Sequence, residues 1–151
     1  MGFFQANTLW CDKQYYLHQD TGQYMTKYVL VLATSADGDD ALSAVLTSKS
    51  HGLRESPACD PGPPRAGYFL GVPGGVLQKP TWVDFSSIEN QDAYVFRRRV
   101  AANRVSSVGT LLNPAVFCGV LRCLSRSEDL NGRQYKWLRS TIDALQCAPQ
   151  R

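Results

Sequence analysis

The chain lacks the familiar signatures of metal and covalent catalysis. It has two histidines, no Cys-x-x-Cys pair and no His-Glu-x-x-His run, so no standard zinc-ligand spacing is present. It has no Gly-x-Ser-x-Gly elbow and no phosphate-cradling glycine loop followed by Lys-Ser/Thr. The glycine-rich stretch from Gly71 to Val76 contains Pro73 and reads as a turn. No apolar run approaches the ~20 residues of a membrane helix. Met1 to Asn7 lacks a basic region followed by a long apolar stretch, so no signal peptide is expected. The five cysteines are Cys11, Cys59, Cys118, Cys123 and Cys147, an odd number. The nearest two, Cys118 and Cys123, lie on an expected helix at a spacing that suits neither a zinc knuckle nor a disulfide framework. Buried free thiols in a reducing cytoplasm are the expectation, and with them a soluble cytoplasmic protein without membrane, metal or cofactor.

At 151 residues the chain fits one domain, 1–151, long enough to bury a core without staples. A 44% hydrophobic and 19% charged composition is that of an ordinary globule. The net charge of +3 is too mild to establish a nucleic-acid partner. Its distribution says more. Arg97, Arg98, Arg99 and Arg104 cluster, and Arg122, Arg126, Arg133, Lys136 and Arg139 follow, while the acids concentrate around Asp37–Asp40 and Asp84–Asp92. The C-terminal half is the basic half.

Residues 3–100 read as β. Phe3 to Trp10 and Gln14 to His18 are short aromatic-rich strands, and Tyr24 to Ala33 and Leu42 to Thr47 are apolar runs bounded by turn residues. His51 to Gly67 carries four prolines and reads as a long irregular loop, exposed and mobile. Tyr68–Leu70 pairs briefly, Thr81–Phe85 alternates as a strand, and Ala93–Val100 is a weaker strand. Residues 113–147 read as helical. Asn113-Pro114 is an N-cap with proline at the first helical position, and Val116, Phe117, Val120, Leu121 and Leu124 recur at spacings of three and four. A second helix from about Gln134 to Cys147 puts Leu138, Ile142 and Leu145 on one face. The expectation is a mainly β, α+β fold: a small barrel or curled sheet packed by C-terminal helices.

Function is most legible where one strand leaves the core. Thr47, Ser48 and Lys49 end the Ala44–Lys49 run, and two hydroxyls and a cation there can grip a phosphate. Lys27 starts the preceding run. Antiparallel pairing of the two brings Lys27 near Thr47.

Several of these segments, in order, resemble the MazF/PemK family of toxin endoribonucleases. Lys27-Tyr-Val-Leu-Val-Leu stands at the family's Arg-Pro strand, and Ala44-Val-Leu-Thr-Ser-Lys49 resembles the next strand, ending in Thr-Ser. Thr81-Trp-Val-Asp-Phe-Ser-Ser-Ile88 with Asp92, and Val108-Gly-Thr-Leu111, resemble the later strand and the entry to the terminal helix. The resemblance covers residues 20–125 discontinuously. It implies an SH3-like β-barrel with C-terminal helices and a homodimer. It further implies metal-independent cleavage of single-stranded RNA, under the control of an antitoxin protein. Lys27 takes the place of the catalytic arginine, Tyr28 replaces the proline, and Thr47 keeps the family's threonine.

Such cleavage needs a base for the 2′-hydroxyl, cations for the phosphorane charge and an acid for the leaving oxygen. Lys27, Thr47 and His51 are the candidate catalytic residues, and Ser48, Lys49, Arg54, Arg97 and Arg99 the candidate RNA contacts. His51 has a suitable unperturbed pKa, about 6.5, but also reads as a solvated loop histidine. Thr47 also reads as a strand cap. Arg97 and Arg99 share one face if the segment is a strand, as a phosphate track or as a solvated run. Lysine lacks the planar fork with which arginine holds two phosphate oxygens. A non-catalytic nucleic-acid- or protein-binding module on the same fold is therefore the alternative.

Overall fold

The two apolar runs form the centre of the molecule. In a computed structural model describing residues 2–110, 112–128 and 130–147, β2 (Tyr24–Thr34) and β3 (Asp40–Thr47) pair antiparallel, with Tyr28 opposite Leu46 and Leu30 opposite Ala44. Residues 29–33 and 41–47 are buried without a break, because helices cover both faces of the sheet here.

Around this pair stand β1 (Thr8–Leu17), β4 (Cys59–Asp60), β5 (Gly67–Gly71), β6 (Thr81–Asp92) and β7 (Val105–Thr110). The order of the seven-stranded sheet is β4-β5-β6-β3-β2-β1-β7, antiparallel throughout. The mainly β, α+β class is as expected. Among the described residues no ladder joins β4 to β7, so the sheet is open at both edges.

Helices α2 (Pro114–Ser125) and α3 (Gly132–Ala144) cover one face. Leu30, Leu32, Leu42, Leu46, Val83 and Phe85 meet Phe117, Leu121, Leu124 and Leu138 there, all but fully buried. The sequence sets the helix starts: the Asn113 side chain accepts from the Ala115 N–H, and Asn131 and Gln134 form a reciprocal capping box. Asn7 ties the N-terminal end to the segment that leads into α2. Its Nδ2 donates to the Leu112 carbonyl at 2.8 Å and its Oδ1 accepts from the Leu112 N–H at 3.2 Å.

The other face carries a smaller aromatic cluster around α1 (Ala93–Ala101). Phe96 sits 4.9 Å from the Trp10 ring and 5.3 Å from Phe4. This helix replaces the weak strand expected at Ala93–Val100. Asp92 caps it by accepting from the Val95 N–H, and Ala93, Phe96 and Val100 recur at helical spacing. Arg97, Arg98 and Arg99 accordingly point in three directions, and Arg97 and Arg99 do not share a face.

Further boundaries differ. The two short N-terminal strands are one strand, β1, whose register shifts between Asp12 and Tyr16. The strand expected at Thr81–Phe85 continues to Asp92. The Val108–Leu111 run lies mostly in β7, which pairs with β1; Leu111 itself lies outside the described residues.

The cysteine expectation fails. Cys59 bonds to Cys123 and Cys118 to Cys147, leaving Cys11 as the free thiol. Both partners of α2 come from distant segments, 64 and 29 residues away, which local spacing does not reveal. The first bond also ties the proline-rich segment to α2. Leu53 and Ala66 are buried, and Asp84 pairs with Arg65 at 2.6 Å, so this loop is anchored at several points.

Candidate functional site at the end of the β2–β3 pair

Lys27 and Thr47 each stand one residue beyond the Tyr28–Leu46 pair that ends the β2–β3 ladder. Both line a cavity of about 310 Å³, together with Thr26, Ser48, Gln78 and Lys79. Among the described residues its lining includes two lysines and neither Asp nor Glu. Strand alternation puts the side chains of Lys27 and Thr47 on the face of Val29 and Val45, and that of Thr26 on the opposite face, the one packed by α2 and α3. The cavity thus opens at the strand end, where both faces meet solvent.

The remaining expected residues are placed differently. Thr47 is buried, and its Oγ1 accepts from the Lys49 N–H at 3.1 Å while lying 3.2 Å from the Lys49 carbonyl, to which it donates. Lys49 is exposed and takes part through its backbone. His51 is exposed in the left-handed region at φ 50°, within a turn closed by the Leu53 N–H donating to the Ser50 carbonyl, and it is not in the cavity wall. Arg54 faces its own loop, with Nε donating to the Pro57 carbonyl at 3.3 Å and a terminal nitrogen to Cys59 at 2.7 Å. Arg97 lies over the Phe3 ring at 5.0 Å. Lys27, Thr47 and Ser48 are brought together; His51, Arg54 and Arg97 are not.

Arg99 lines a second cavity, of about 230 Å³, on the sheet face beneath α1. Asp12 there is buried and held by a fork from Arg104, at 3.2 and 3.3 Å. Gln91 Nε2 donates to Ser43 Oγ at 3.1 Å, both residues being buried. Tyr15 forms another part of the wall. Its burial, and then the carboxylates of Glu89, Asp12 and Asp84, hold its pKa above the ordinary phenol value. Asp12, Ser43 and Gln91 carry no local signal of a site in the sequence, because they come from β1, β3 and β6 and meet only through the sheet register. What the sequence does show is a buried-strand pattern broken at these three positions.

No family model, curated protein or solved structure matches the chain. Among the described residues no group of three or more His, Cys, Asp and Glu is placed to hold a metal ion. No described helix is long and apolar enough to cross a membrane.

Proposed function

We propose that this protein grips single-stranded RNA at the Lys27–Thr47 strand end and cuts its backbone, as a metal-independent endoribonuclease of the MazF/PemK kind. The observation that carries the reading is the convergence of Lys27, Lys79, Thr47 and Ser48 on one cavity lined, among the described residues, by neither Asp nor Glu. Two ammonium groups offset phosphate charge, and hydroxyls can donate to its non-bridging oxygens. In the reaction the 2′-oxygen bonds to phosphorus and the P–O5′ bond breaks. The proton lost by the 2′-hydroxyl is matched by one gained at the 5′-oxygen, and the Lys27 charge offsets that of the phosphorane between. The SH3-like barrel, a homodimer and an antitoxin partner belong to the same proposal.

A second reading, a non-catalytic module binding nucleic acid or protein, is favoured by two details. The Thr47 hydroxyl is occupied by the Lys49 backbone, and His51 stands outside the cavity. The disulfides fit an oxidising setting better than a reducing cytosol.

Incubating the oxidised protein with single-stranded RNA in excess EDTA tests the proposal. Fragments ending in a 2′,3′-cyclic phosphate are expected, with no cleavage of the all-2′-deoxy strand. Binding without fragments establishes the second reading.

A further inference from the structure

Among the described residues, the cavity beneath α1 has a polar inner wall held by internal hydrogen bonds. Asp12, Ser43 and Gln91 are 5%, 1% and 8% exposed, so its inner wall is fixed rather than solvated. Burying such groups is costly unless they are partnered, and here the inner partners are all internal. Arg104 neutralises Asp12 with a two-point fork, and Gln91 donates to Ser43. What remains unpartnered is instructive. Among the described residues, the Glu89 carboxylate and the Arg99 guanidinium make no hydrogen bond or ion pair, although both line the cavity. The Gln91 carbonyl oxygen likewise accepts no hydrogen bond there.

The apolar parts of the wall come from Val29, Val45, Phe96 and the Tyr15 ring. A slot with an aromatic side, a free acceptor pair and a free guanidinium suits a flat heterocycle with donors on one edge and acceptors on the other. Its volume of about 230 Å³ lies below the range of drug-sized ligand sites and suits a fragment the size of one base.

We propose that this cavity receives a guanine base, with Glu89 accepting from its N1–H and N2–H and Arg99 donating to its O6 and N7. Arginine paired to O6 and N7 is the commonest specific guanine contact, and a carboxylate suits the neighbouring donor edge. In the same pose adenine turns its N6 amine toward the guanidinium and its N1 lone pair toward the carboxylate, and uracil, lacking the exocyclic amine, gives the carboxylate one donor, N3–H, instead of two. Cytosine offers a single ring nitrogen and one carbonyl to the guanidinium, and it fills less of the slot. The site adjoins the strand end. Val29 follows Lys27 on the same strand face, and two residues of strand span about 7 Å. The assignment rests on the proposed RNA reading for the source of the base, and it makes this cavity the specificity pocket of that site.

The test uses free nucleosides, which carry no phosphate, so failure of the strand end to bind RNA leaves its outcome untouched. Titration of the ¹⁵N-labelled oxidised protein is expected to shift the amides of Ser43, Glu89, Gln91 and Arg99 with guanosine. Affinity for guanosine should exceed that for adenosine, uridine or cytidine at least tenfold. Glu89→Gln, at an exposed side chain, should remove most of that preference, and Arg99→Gln should weaken guanosine binding at least tenfold. Equal binding of all four nucleosides, binding of none, or a preference retained in Glu89→Gln overturns the proposal.

Discussion

Lys27 and Thr47 are the next residues beyond the Tyr28–Leu46 pair that ends the β2–β3 ladder, and both line one cavity. The antiparallel register alone brings them there. Thr47 has a second task, because its hydroxyl closes the turn to Lys49. Thr47→Ala should therefore cost about 1 kcal/mol of stability from the lost turn bonds. Thr47→Ser should recover most of it, as read by urea denaturation. A Thr47→Ala protein as stable as the parent contradicts the turn.

The Arg54 guanidinium donates to the Pro57 and Cys59 carbonyls of its own loop. Arg54→Ala should speed amide exchange across residues 55–60 and leave RNA affinity within twofold. A tenfold loss of affinity would return Arg54 to the RNA contacts.

The disulfides make a plain chemical prediction. Thiol titration of the unreduced protein should count one free group, Cys11. Breaking the Cys59–Cys123 bond by Cys123→Ser should cost about 2–5 kcal/mol, more than Cys147→Ser costs through the shorter Cys118–Cys147 closure. Thermal unfolding of each variant reads the order.

Tyr15 gives a pH dependence whose sign follows from its raised pKa. The folded protein keeps the phenol proton at a pH where the unfolded chain has released it. Stability from this group is complete below the ordinary phenol value of about 10 and falls as pH rises toward the raised folded value. Tyr15→Phe should flatten this alkaline loss relative to the parent, measured by denaturation at successive pH values. Identical slopes in the two proteins contradict the burial of Tyr15 among carboxylates.

What the sequence made legible, and what it hid, follows the range of the forces involved. The β2 and β3 runs and the Asn113 cap were readable because continuous burial and helix capping are local patterns. The neighbourhood of Lys27 and Thr47 needed only the pairing of successive strands. Helix α1 was misread because its three consecutive arginines obscure the Ala93–Phe96–Val100 stripe. The disulfides and the Asp12–Arg104 fork join residues far apart in the chain, and no local pattern encodes such partners. His51 followed Thr47 too closely in sequence to suggest that an intervening turn carries it off the cavity wall.

The central claim is that Lys27 and Lys79 bind RNA phosphate, and the salt dependence of binding tests it most directly. Affinity for a single-stranded oligonucleotide should fall with salt, and Lys27→Gln and Lys79→Gln should each reduce the log–log slope by about 0.7, one phosphate contact apiece. Lys27→Arg should keep the slope and tighten binding, since its fork engages two oxygens. Slopes unchanged in both glutamine variants would contradict the assignment of this cavity to RNA.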